Sequence, residues 1–137
     1  ETGMSDPSNK ALPHQHLASK FIASLYAAGV TDFVVCPGSR NTPLTLTLLQ
    51  MDTSANFPNL KIWRHIDERA AGYFALGIAR SSGSPVAVMV TSGSAVANLY
   101  PAVIDVLINP YMTTARAISI VSRSTNGNNG AITRQAD

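Results

Sequence analysis

The sequence predicts an α/β domain, a three-layer α/β/α arrangement around a mainly parallel sheet. Three observations carry that expectation. Short runs of β-forming residues each end in a Pro, Gly, Ser or Asp turn, each run is followed by apolar residues at helical spacing, and this alternation occurs three times before a last strand. Strands joined through helices lie parallel with right-handed crossovers, so helices are expected on both faces of the sheet.

The elements follow in order. Leu17, Phe21, Leu25 and Ala28, supported by Ala18 and Ile22, repeat at helical spacing over residues 13–29, and Gly29 supplies the stop. Asp32-Phe-Val-Val-Cys36 is a buried-strand pattern ended by Pro37-Gly38. Asn41 or Thr42 is suited to cap a second helix, with Pro43 near its first position and an end near Met51. Residues 52–59 read as a polar connection, and residues 60–66 alternate as a second strand that delivers Asp67 and Glu68. An Ala- and Gly-rich helix over 68–82 implies close packing against a neighbour. Gly83-Ser-Pro85 breaks it, residues 86–90 form a central strand, and Val96, Leu99, Tyr100, Val103 and Leu107 mark one further helix kinked at Pro101. Residues 117–121 form a weaker last strand.

The expected organisation is one domain over 13–122. Ahead of it, Glu1-Thr-Gly3 reads as a tripeptide appended before Met4, and the rest of 1–12 as a flexible polar arm. Residues 123–137, rich in Asn, Gly, Ser and Thr, read as a poorly ordered loop.

Composition narrows the function classes. The chain of 137 residues is 45% hydrophobic and 13% charged, a globular composition that suggests an apolar partner surface. Its net charge of +2 comes from scattered cations, which argues against nucleic-acid binding. No apolar run approaches the roughly 18 residues of a membrane span. The single Cys36 fits a reducing compartment, so a cytoplasmic or organellar (plastid) location is expected.

In an open parallel sheet, ligands bind beyond the carboxyl ends of the strands, which singles out three loops: Cys36-Pro-Gly-Ser-Arg40, Asp67-Glu-Arg69 and Thr91-Ser-Gly-Ser94. All three are expected at one crevice. Ser39 and Arg40 at a helix entrance suit a carboxylate or phosphate, the alternative being a plain turn with a surface arginine. Thr91 to Ser94 either line a ligand or simply cap a helix. Glu68 in a first turn is favourable for electrostatic reasons alone. His65 reads as a partly buried imidazole rather than a base, Cys36 as a small buried hydrophobe, and His14 and His16 lack metal-ligand company, so no metal site is assigned.

Four stretches together resemble the N-terminal, pyrimidine-binding domain of the thiamine-diphosphate-dependent SEPHCHC synthase family of menaquinone and phylloquinone biosynthesis: residues 36–46 (Cys-Pro-Gly-Ser-Arg-Asn-Thr-Pro-Leu-Thr-Leu), 65–79 (from His-Ile-Asp-Glu-Arg), 85–94 (ending Thr-Ser-Gly-Ser) and 95–104 (Ala-Val-Ala-Asn-Leu-Tyr-Pro-Ala-Val-Ile). Their order and spacing match as well. The resemblance implies a transferase that decarboxylates 2-oxoglutarate and adds the succinyl unit to isochorismate. It implies that Glu68 hydrogen-bonds N1′ of the aminopyrimidine and promotes its imino tautomer. It further implies that Ser39 and Arg40 hold a carboxylate, and that Pro37, Gly38, Thr91, Ser92, Gly93 and Ser94 lie against the cofactor.

Past Ile104 the sequence departs from the family. Ser119-Ile-Val-Ser-Arg-Ser124 stands where the family has a strand ending Ala-Asp-Arg-Pro, and Arg123 takes the place of its substrate-binding arginine with a shift of one residue. Asn129 matches the asparagine of the Gly-Ala-Asn-Gln loop that follows, whereas Gly130 replaces its glutamine. The Gly-Asp-Gly motif by which the family grips diphosphate and Mg²⁺ does not occur in these residues. A fragment, a truncated form or one component of a split enzyme is therefore expected, completed by a diphosphate-binding domain or by homo-oligomerisation. The competing readings are a non-catalytic oligomerising or binding module derived from that domain, and a flavodoxin-like protein binding phosphate at 39–42.

Overall fold

The computed structural model of the chain describes residues 8–108, 118–121 and 132–133. Helix α1 (Ser8–Ala27) leads to strand β1 (Asp32–Val35), helix α2 (Thr42–Asp52), strand β2 (Lys61–Arg64), helix α3 (Glu68–Ser82) and strand β3 (Val86–Met89). Helices α4 (Ser94–Ala97) and α5 (Tyr100–Ile108) follow, then β4 (Ile118–Val121) and β5 (Ile132–Thr133). The sheet order is β2-β1-β3-β4-β5, with the first four strands parallel and β5 antiparallel to β4. The expected mainly parallel sheet is present.

Alternation along the central strands divides the core into two faces, as a period of two requires. Phe33, Val35, Ala87 and Met89 pack with Ile22 of α1 and with Leu48 and Met51 of α2. Val34, Cys36, Val86, Val88 and Val90 pack on the other side with Ala71, Ala75, Leu76 and Ala79 of α3 and with Ala95 and Leu99. Helices cover both faces, giving the three layers.

The close packing expected of α3 is realised at Gly72, where a Cβ would lie 3.0 Å from that of Ala102 and 3.2 Å from Leu99 Cδ2. Asp32, nearly buried on the first strand, is satisfied by the Trp63 indole N–H at 2.9 Å and the Thr31 hydroxyl at 3.1 Å, which ties β2 to β1.

Several boundaries differ from the expectation. Helix α1 starts at Ser8 rather than 13, because Pro13 falls in its second turn and removes only one intrahelical bond. The alternating run of 60–66 is strand only over Lys61–Arg64. The ladder closes with the His65 N–H on the Val35 carbonyl at 3.0 Å, and Ile66 stands 98% exposed in the bend to α3. The third strand ends at Met89 rather than residue 90. The helix expected to kink at Pro101 is two helices, α4 and α5, because proline has no N–H to bond Ala97 and its ring crowds that carbonyl. Finally, Ile132–Thr133 within the expected loop pairs as an edge strand with Val121 and Ile120. The expectations for residues 1–7 and for Arg123, Asn129 and Gly130 lie outside the described residues.

Candidate functional site

The strand order places the ends of β1, β2 and β3 side by side. The chain leaves β1 toward α2 on one face and leaves β3 toward α4 on the other, so a topological switch point lies between these two ends. This is where an open α/β sheet leaves a crevice.

Two contacts close the switch point from both sides. A Cβ on Gly38 would stand 2.7 Å from Thr91 Cβ, so the two backbones approach as only glycine permits. Arg40 donates from its guanidinium to the Ser92 hydroxyl, joining the loop after β1 to the loop after β3. Ser39 and Pro37 are exposed and Gly38 is half-buried, as are Thr91 and Ser92. Gly93 adopts φ 82° and ψ −137°, a conformation essentially confined to glycine, and turns the chain into α4.

Gly93, which has no side chain, stands at the N-cap of α4, so no side-chain cap bond is made from that position. Asn41 does stand at the N-cap of α2, as expected, but its side chain makes no cap bond. Its amide turns back instead, accepting the Gly38 N–H at 2.7 Å and donating to the Cys36 carbonyl at 2.8 Å. Thr42 at the first helical position donates its hydroxyl to the Gly38 carbonyl at 3.0 Å.

The adjacent carboxylates after β2 divide their roles. Asp67 caps α3, its carboxylate accepting the Ala70 N–H at 2.7 Å. Glu68 is half-buried in the first turn and makes no side-chain hydrogen bond among the described residues. Helix formation therefore does not consume it. Asp67→Ala is expected to lower stability by about 0.5–2 kcal/mol through loss of the cap. Thermal unfolding of the variant measures this.

Cys36 reports on the electrostatics at the end of β1. Burial, then the negative charge of Glu68 and then that of Asp67, push its thiol from 9.0 up to about 11. Both carboxylates thus act on the β1 end of the crevice. The folded chain keeps a thiol proton that the unfolded chain releases, so this contribution to stability is full below pH 9 and is lost as pH rises toward 11. Iodoacetamide at pH 8 is expected to leave Cys36 unmodified in the folded chain and to modify it in denaturant. Mass spectrometry reads the outcome.

His65 is half-buried with its ring 4.6 Å from that of Phe74. No group of three or more His, Cys, Asp or Glu placed to hold a metal occurs among the described residues. No helix among them is long and apolar enough to cross a membrane.

Residues 15–110 match the family model described as thiamine pyrophosphate enzyme, N-terminal TPP binding domain. A 2-succinyl-5-enolpyruvyl-6-hydroxy-3-cyclohexene-1-carboxylate synthase of Chloroflexus aurantiacus is 54% identical over 90 residues, 66% of this chain and 14% of that protein. The synthase of the same name from Bacillus velezensis is 47% identical over 93 residues, 68% of this chain and 15% of that protein. That of Actinobacillus pleuropneumoniae is 50% identical over 88 residues, 64% of this chain and 15% of that protein. The matched segment spans only 14% to 15% of these curated relatives.

Proposed function

The chain belongs to the thiamine pyrophosphate enzyme N-terminal domain family, and on that premise we propose that it is the pyrimidine-binding portion of a transferase like its relatives. In this reading residues 13–122 form the cofactor-pyrimidine domain, and a diphosphate-binding domain completes the site with Mg²⁺. The substrates are 2-oxoglutarate and isochorismate, and the setting is the cytoplasm, or a plastid or other organelle in a eukaryote.

The observation that carries the reading is the half-buried Glu68, which makes no side-chain hydrogen bond among the described residues and whose charge acts on the β1 end of the crevice. The residues present fit an aminopyrimidine. Such a ring offers a basic nitrogen to a carboxylate, and Glu68 stands at the crevice while Asp67 is spent on the helix cap. When bound, thiamine diphosphate supplies the electron sink that a 2-oxo acid needs in order to lose carbon dioxide.

The rest of the work falls to the chain. Glu68 holds and returns a proton at N1′ of the pyrimidine, a role that demands an ionisable side chain. Arg40 and Ser39 orient a substrate carboxylate, the guanidinium offering a two-donor fork and the hydroxyl a third donor. Pro37, Gly38 and residues 91–94 shape the wall against the ring, with Gly38 and Gly93 keeping side chains out of it. Arg123 is proposed as a further substrate-binding cation.

The test mixes the chain with a matching diphosphate-binding domain, thiamine diphosphate and Mg²⁺, and follows carbon dioxide release from 2-oxoglutarate. Release that requires both polypeptides supports the reading. A mixture that forms a stable complex, binds the cofactor and releases none contradicts it.

A further inference from the structure

Asn41 is only 1% exposed, the most deeply buried polar side chain among the described residues, and the proton chemistry above does not use it. Its amide oxygen takes the Gly38 N–H at 2.7 Å and its amide nitrogen gives to the Cys36 carbonyl at 2.8 Å. Its own carbonyl accepts the Thr45 N–H at 2.9 Å and the Thr45 hydroxyl at 3.1 Å, so the same residue anchors the first turn of α2. One side chain thus clasps the turn after β1 at two points. Between the clasped Gly38 and Asn41 lie Ser39 and Arg40, both exposed, with Arg40 reaching the Ser92 hydroxyl.

We propose that Asn41 is a positioning residue that fixes Ser39 and Arg40 in the arrangement that receives a ligand carboxylate. The proposal rests on the reading of those two residues as the anion site. Without the amide, the Gly38 N–H and Cys36 carbonyl lose their partner and the turn is free to relax. Arg40 then has more arrangements to lose on binding, and the cost falls on affinity. A residue that merely stabilised the fold would weaken binding whether or not Arg40 were present.

The experiment uses the full 137-residue chain labelled with ¹⁵N, titrated with 2-oxoglutarate while the Ser39 and Arg40 amides are followed by NMR. Asn41→Ala is expected to weaken binding by up to about tenfold, the scale of the ordering cost of one long side chain that binding must then immobilise. In an Arg40→Ala background it is expected to weaken binding by no more than about twofold, because Asn41 acts mainly through Arg40 and only the Ser39 hydroxyl is left for it to position. Its effect on thermal stability is expected to be the same in both backgrounds. Equal weakening in the two backgrounds, or unchanged affinity in Asn41→Ala, overturns the proposal and leaves the anion site standing. A wild-type chain that ignores 2-oxoglutarate, or an Arg40→Ala variant that binds it as the wild type does, overturns the anion site and the proposal with it. Should Asn41→Ala fail to fold, Asn41→Ser leaves a short neutral hydroxyl in place of the amide, adds no buried charge, and gives the same comparison.

Discussion

Glu68→Gln is expected to lower turnover of the completed enzyme by about 10²–10⁴-fold, the range for loss of a positioned proton-transfer group. The substitution keeps the side chain's shape and its capacity to hydrogen-bond, and removes only its ability to exchange a proton. Stability is expected to move by no more than about 0.5 kcal/mol, since Glu68 makes no side-chain hydrogen bond among the described residues and Asp67 supplies the cap. The two effects should therefore separate, with kcat collapsing at saturating cofactor while thermal unfolding stays near that of the parent. Turnover within a few-fold of the parent would remove Glu68 from the chemistry. The Cys36 thiol offers an internal control, because losing the neighbouring negative charge with the larger effect on it should let it titrate lower than about 11.

Gly38→Ala is expected to damage both stability and the site. The added Cβ would meet Thr91 Cβ at 2.7 Å and its Cγ2 and Oγ1 at 3.1 Å. Thr91 Cβ sits at the root of its side chain, so no rotamer change clears it and one of the two loops has to move. Overpacking of this kind costs about 1–3 kcal/mol, and thermal unfolding should fall by several degrees. Because the displaced loops carry Arg40 and Ser92, the variant should also bind a carboxylate ligand more weakly. Gly77→Ala is the contrasting control: a Cβ there meets nothing within 4 Å in mid-helix α3. It should stabilise by about 0.5–1 kcal/mol through lower backbone entropy in the unfolded chain. Equal losses in both variants would show that the clash is not the cause.

The parts legible in the sequence were those set by local chemistry. Val-rich runs ending at Pro37-Gly38 and at Thr91-Ser92 read as buried strands because their residue types fit a two-sided sheet. Gly83, at φ 67°, ended α3 as its permissive backbone allows. Identifying the three strand-end loops needed only the rule that ligands gather there, and the sheet order does place β1, β2 and β3 side by side.

What escaped depended on contacts distant in sequence or on competition between equivalent partners. Asn41 looked like a helix cap because its type and position suit one, whereas the free Gly38 N–H three residues back captured its side chain. The spacing Gly-Ser-Arg-Asn could have signalled such a turn-closing amide. Ser92 likewise looked like a cap, and its pairing with Arg40 across 52 residues had no local signature. Ile66 matched the strand alternation, but β1 ends at Val35 and leaves no ladder for it to join. The break before α5 was visible as Pro101, although its extent depended on how Leu99 and Ala102 pack on α3.

Calorimetric titration of thiamine diphosphate with Mg²⁺ into the chain, into a matching diphosphate-binding domain and into their mixture tests the half-site most directly. Stoichiometric binding by the mixture, with little or none by either polypeptide alone, is the predicted result. An absence of binding by the mixture, in a chain that sediments as a stable oligomer by itself, would contradict it and leave a non-catalytic assembly module.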